Sequence, residues 1–149
     1  IDRYITFKEQ IEKYYNDDYY IIIDRYVISN MIYQGAKIKD KEEKEKFLKW
    51  EEDFEYNLYK IPRPDKVIYL HLSVEDSQKL IKDRKNKIDG NDKKDIHEQD
   101  LEFLKDAYNM AEELAHKNDW IRIECLDENK NMRTIEDISN EIYNNVIGE

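Results

Sequence analysis

Tyr19-Tyr20-Ile21-Ile22-Ile23-Asp24-Arg25-Tyr26-Val27-Ile28-Ser29-Asn30-Met31-Ile32-Tyr33-Gln34 is the stretch whose reading decides the fold. Its first five residues are aromatic or β-branched, which predicts a strand buried on both faces, as in a parallel sheet. The run stops abruptly at a carboxylate and a guanidinium. Ligands of open α/β sheets bind beyond the carboxyl ends of the strands, so Asp24 and Arg25 stand where chemistry is expected. In a following helix, Arg25, Ser29 and Tyr33 fall at i, i+4 and i+8, with Tyr26 and Asn30 beside them. Val27, Ile28, Met31 and Ile32 then take the opposite, apolar side. An arginine, an amide and a tyrosine on one face suit a phosphate, a base edge and a sugar. The plainer alternative has Asp24 capping the helix and Arg25 pairing with a surface carboxylate.

Working outward, Phe7, Ile11 and Tyr14 recur at helical spacing over residues 1 to about 15, and Asn16-Asp17-Asp18 signals a turn. The charged stretch from Lys37 to Lys46 reads as solvated. Phe47, Trp50, Phe54 and Leu58 mark a long amphipathic helix ended by Pro62 and Pro64. Its aromatic face serves either the core or a partner subunit. Val67 to Leu72 is a second strand of the buried type. Ser73-Val74-Glu75-Asp76 has the form of a capping box and opens another helix. From Lys85 to Lys94 the pattern dissolves into Lys, Asn, Asp and Gly, an exposed loop. A helix from about Ile96 to Lys117, a third strand at Trp120 to Glu124 and a helix from Thr134 to Val146 complete the chain. Ile135, Ile138, Ile142 and Val146 are expected to face inward. Strands separated by helices predict a single α/β domain, a parallel sheet flanked by helices.

The 149 residues suffice for one domain with a sizeable core, and twelve tyrosines argue against disorder. A formal net charge of −10 disfavours nucleic acid or an anionic membrane as the main partner. The one cysteine, Cys125, excludes an internal disulfide and fits a reducing cytoplasm. No apolar run is long enough for a bilayer and no signal peptide is visible, so the expected setting is soluble and cytoplasmic. His71, His97 and His116 have no metal-site spacing to other ligands. The three glycines, Gly35, Gly90 and Gly148, are too scattered for a phosphate loop. The chain starts at Ile1 with what reads as mid-helix, which leads us to expect that a first strand and its loop are missing from the front.

Asp24-Arg25-Tyr26-x-x-Ser29-Asn30-x-x-Tyr33-Gln34 resembles, position by position, the Asp-Arg-Tyr/Phe motif after the third strand of thymidylate kinases. These belong to the nucleoside-monophosphate kinase branch of the P-loop NTPases. The resemblance covers essentially all of this chain and the later two-thirds or so of a family member. It implies that Arg25 grips the acceptor phosphate and that Asp24 helps organise Mg2+ or the reacting phosphates. It implies too that Asn30 contacts thymine and Tyr33 packs by the deoxyribose, with Ser29 and Gln34 also binding substrate. Asp2-Arg3 matches an Asn/Asp-Arg pair on the family's preceding helix, which makes Arg3 a base contact or else a solvated charge. Pro62 to Leu70 is similar to the Pro-Asp-aliphatic lead into the fourth strand, a structural feature. Residues from about 85 to 95 lie where the family has its lid, with Arg84 on the helix leading into it and near the donor nucleotide. Where many bacterial members have Asp-Arg-hydrophobic-Glu, this chain has Asp95-Ile96-His97-Glu98. Arg84, Lys93 or Lys94 substitutes for that arginine, or it lies in the absent loop.

The implied reaction is γ-phosphoryl transfer from ATP to dTMP, giving dTDP and ADP for dTTP synthesis. The family's first strand, which carries the phosphate loop, sits between its third and fourth, so this chain alone is expected to be inactive. The family is typically homodimeric. The nearest enzyme alternative is a deoxynucleoside kinase, whose acceptor lacks the 5′-phosphate. A third reading is a non-catalytic dimerisation or regulatory homologue.

Overall fold

The computed structural model describes residues 2–17, 19–80 and 97–148. The chain divides into two compact units, Ile1–Arg63 and Pro64–Glu149.

In the first unit, helices α1 (Asp2–Thr6) and α2 (Glu12–Asn16) are joined by a π-helical turn, Phe7–Ile11. The helix expected from the Phe7, Ile11 and Tyr14 spacing is therefore present, interrupted by that turn. A π turn closes i→i+5 bonds, which shifts the phase of every later side chain. Phe7 is buried, while Tyr14 is exposed. Helix α3 (Val27–Gly35) starts after Tyr26, whose backbone is extended, and it buries Val27, Met31 and Gly35. Helix α4 (Lys41–Glu52) is capped by Asp40, whose carboxylate accepts from the Glu43 amide at 2.9 Å. It runs into a second π segment, Asp53–Leu58. Lys60 then takes a left-handed φ of 54°, and Ile61 tucks into the core. Burying Val27, Met31 and Ile61 stabilises this unit by about 1.5–3 kcal/mol apiece.

Two expectations fail in this unit. Residues 19–23 form no strand. A strand is held by ladder bonds to a neighbour, and none of the described residues pairs with this segment; Ile22 is 95% exposed. The stripe of Phe47, Trp50, Phe54 and Leu58 is not the buried face either. Trp50 and Leu58 are exposed, and the side chains taken inside are Glu51 and Glu55. The aromatics instead form a row: Trp50 stacks on Phe54 at 5.1 Å, Phe54 meets Tyr59 at 4.5 Å, and Tyr59 meets Tyr4 at 5.4 Å.

The second unit holds β1 (Ile68–His71), a helix over 74–80 labelled α5, α6 (His97–Lys117), β2 (Ile121–Glu124) and α7 (Ile135–Val146). The two strands are parallel, in the register Ile68↔Ile121 to His71↔Glu124. Two of the three expected strands thus pair as expected, each a little shorter than its apolar run. Ser73 caps α5: its hydroxyl accepts from the Asp76 amide at 3.1 Å and donates to the Asp76 carboxylate at 2.7 Å. Lys66 donates to the carbonyls of Asn145 and Val146 at the end of α7, where the helix dipole favours a cation. The core comprises Val74, Ala107, Met110, Ala111, Leu114, Ala115, Ile123 and Cys125. β1 is not buried on both faces, since Leu70 is exposed; nor does Ile135 face inward, being 88% exposed in the first turn of α7. Among the described residues no helix is long and apolar enough to cross a membrane.

Candidate functional site

Four side chains of the first unit converge on one point. Glu51, in the last turn of α4, and Glu55, in the π segment after it, are 2% and 3% exposed. Charges that deep survive only with partners. Arg3 supplies most of them. Its Nε donates to Glu55 Oε1 at 2.9 Å, its Nη2 reaches the same oxygen, and Nη2 also lies 3.3 Å from Glu51 Oε1. Asn30 of α3 completes the set, donating from Nδ2 to Glu51 Oε1 at 2.6 Å. Glu55 Oε2 is buried with no hydrogen-bond partner among the described residues. The acidic pair thus ties helix α1 to helix α3 and holds an arginine and an amide in one geometry. Arg3 is only partly exposed and is neither a solvated charge nor a free one.

Arg25 and Tyr33 form a second pairing. The guanidinium lies over the Tyr33 ring, 5.5 Å from its centroid, a cation–π arrangement. Arg25 is not on the helix, as the i, i+4, i+8 reading had it, because α3 begins at Val27. It sits in the preceding bend at a φ of 64°, a left-handed conformation that costs a side-chain-bearing residue about 1–2 kcal/mol. Strain of this kind gathers at functional sites, where surrounding structure holds it in place. Next to it, Tyr26 donates its hydroxyl to the Pro62 carbonyl at 3.1 Å, and burial pushes that phenol up to about 12. Asp24 is exposed in the same bend and Ser29 is half-buried on α3. Gln34 is turned to solvent, accepting from Lys37 Nζ at 3.1 Å. Arg84, Lys93, Lys94 and the proposed lid of about 85–95 lie outside the described residues.

A model of the family described as thymidylate kinase matches residues 1–141. The chain belongs to the thymidylate kinase family. A curated relative, the thymidylate kinase of Brachyspira hyodysenteriae (strain ATCC 49526 / WA1), is 38% identical over 90 residues. That match takes in 59% of this chain and 39% of the relative, well under two-thirds of its length. Family membership carries the P-loop NTPase fold with it, and the parallel β1–β2 pair agrees with that architecture.

Sequence reasoning missed the two residues that organise the site, Glu51 and Glu55. Their i, i+4 spacing was visible, but nothing in a charged helix distinguishes a buried glutamate from a solvated one. It also set His71 aside. At the carboxyl ends of the paired strands, His71 Nδ1 lies 2.6 Å from Glu124 Oε2, and Nε2 lies 2.7 Å from the Tyr108 hydroxyl. Arg122 joins the group, donating to Glu124 at 2.7 Å and to Glu112 at 2.6 Å. Burial pushes the Glu124 carboxyl up, yet the hydrogen bonds from His71 and Arg122 outweigh it and hold the group below its ordinary value. The cluster ties α6 to the polar face of the sheet. Strand alternation put His71 on that face, and the register that sets Glu124 beside it was the missing information.

Proposed function

We propose that the chain carries the acceptor-nucleotide portion of a dTMP kinase, which moves the γ-phosphate of ATP to dTMP to give dTDP and ADP. The observation that carries this reading is the convergence of Arg3 and Asn30 on the buried Glu51–Glu55 pair. It supplies a fixed guanidinium and a fixed amide, the two groups needed to read a pyrimidine edge. In this reading Arg25 takes the 5′-phosphate, for which a guanidinium fork is well matched, and Tyr33 braces it and flanks the sugar. Ser29 and Gln34 complete the substrate set.

Asp24 would help hold Mg2+ through water. A single exposed carboxylate suits an ion that keeps most of its waters and takes its other ligands from phosphates. When bound, that ion neutralises charge on the transferring phosphoryl group. Arg84 and the lid would act at the donor nucleotide, ATP. The assembly proposed is a homodimer working in the cytoplasm. In this reading these residues position the acceptor, and positioning with charge neutralisation is most of what phosphoryl transfer requires.

The test is a calorimetric titration of the chain with dTMP, with dCMP and thymidine as controls. The reading expects dTMP to bind well above both. A well-folded chain that binds thymidine as tightly as dTMP, or neither at all, would sink it.

A further inference from the structure

The Glu51 carboxylate leaves Asn30 one choice. An asparagine amide is symmetric in shape, and its two ends differ only in hydrogen-bonding sense. Facing a carboxylate oxygen at 2.6 Å, the end that fits is the NH2, since an amide oxygen there would oppose a buried negative charge. Asn30 Oδ1 is therefore committed to point away from Glu51 as an acceptor. Arg3 is constrained in the same way: Nε and Nη2 are spent on the two glutamates, so Nη1 is the nitrogen that neither glutamate engages.

We propose that Glu51 is a specificity-determining positioning residue, which acts by locking the sense of the Asn30 amide. This rests on the proposed function above, in which Asn30 and Arg3 face the base. An acceptor at Asn30 with a donor beside it at Arg3 complements an imide edge, where N3 bears a proton and O4 accepts. It opposes the cytosine edge, where N3 accepts and the exocyclic amine donates. Glu55 holds Arg3 from the other side, accepting from its Nε. The chain thus chooses thymine or uracil over cytosine through a buried carboxylate that touches no ligand.

Glu51→Gln tests this with almost no change of shape. Glutamine can offer either an oxygen or an amide to Asn30, so the lock is lost and Asn30 can turn over. The dTMP-to-dCMP affinity ratio is expected to fall by about tenfold or more, the worth of a single well-made hydrogen bond. A purely structural Glu51 would weaken both nucleotides alike and leave the ratio unchanged, which would overturn the proposal. The unaltered chain provides a second arm that does not depend on the variant folding. A dTMP analogue methylated at N3, which has no proton to give, should bind at least about tenfold more weakly than dTMP. Equal binding would overturn the proposal as well. If the unaltered chain shows no preference for dTMP over dCMP and thymidine, it is the proposed function that fails. If that preference stands and Glu51→Gln retains it, only the role of Glu51 falls.

Discussion

Replacing Arg3 by methionine would keep the length of the side chain and remove the fork that satisfies two buried glutamates. Glu55 loses both of its donors at Oε1, and Glu51 is left with Asn30 alone. Charge-assisted hydrogen bonds contribute about 1.5–3 kcal/mol each, and stripping the partner from a buried carboxylate costs about 3–5 kcal/mol. The Arg3 side chain is one-third exposed, so water screens part of the attraction and the lower end applies, about 3 kcal/mol. Removing Glu55 as well, as Arg3→Met with Glu55→Met, eliminates the orphaned charge and refills its space with apolar volume. The double variant should therefore be more stable than Arg3→Met alone. Four urea unfolding curves close the cycle, with an expected coupling of about 2 kcal/mol. Single costs that add to within about 0.5 kcal/mol would refute the claim that these side chains form one buried unit.

Arg25 sits at positive φ, so Arg25→Gly should be about 1 kcal/mol more stable than Arg25→Ala in denaturant melts, although both lose dTMP affinity in titrations. Equal stability would mean that the bend relaxes freely. Burial raises Tyr26 to about 12 and Tyr56 also to about 12, so the folded chain holds protons that the unfolded chain releases from about pH 10 upward. Stability should fall as pH rises above 10, and Tyr26→Phe should make that slope shallower at a cost near neutrality of about 1 kcal/mol for the lost bond to Pro62. Phosphate-release and dTDP assays on the pure chain with ATP, Mg2+ and dTMP should read background, since its three glycines are too dispersed to build a phosphate loop. Measurable dTDP would refute that.

The parallel pair and the helices around it were legible because their signals are local. Runs such as Val67 to Leu72, and a capping sequence such as Ser73 to Asp76, carry their own instructions. The segment 19–23 has an equally strong strand signature, yet strand formation is a property of two segments, and the signature says nothing of whether the second is at hand. The arginine and the amide of the candidate site were readable as residue types, at the offsets that carry the family resemblance. What organises them was not. Glu51 ends a highly charged helix and Glu55 lies in the π segment that follows, so neither stands out from its charged neighbours in the sequence. A period of 3.6 residues cannot anticipate an extra residue in a turn, which is why Leu58 was placed on the wrong side, whereas Trp50 precedes the π segment and is turned out beside the buried Glu51 of α4. His71 shows the same limit in a strand: alternation gives the face, while its partners Glu124 and Tyr108 come from distant parts of the chain.

The uncovered segment 19–23 also bears on how this chain behaves in a crowded solution. Tyr19-Tyr20-Ile21-Ile22-Ile23 is uncharged, free of proline and rich in β-formers, the makeup of a segment that stacks with copies of itself. With no strand partner among the described residues and with Ile22 and Ile23 exposed, it is a template for intermolecular cross-β growth. Aspartates at 17 and 24 bracket it as gatekeepers, and the net charge of −10 keeps molecules apart at low ionic strength. Salt weakens that repulsion without touching the apolar run. Association through this segment is therefore expected to grow with ionic strength, and a single lysine in place of Ile22 should oppose it without disturbing the buried Arg3–Glu55 lock.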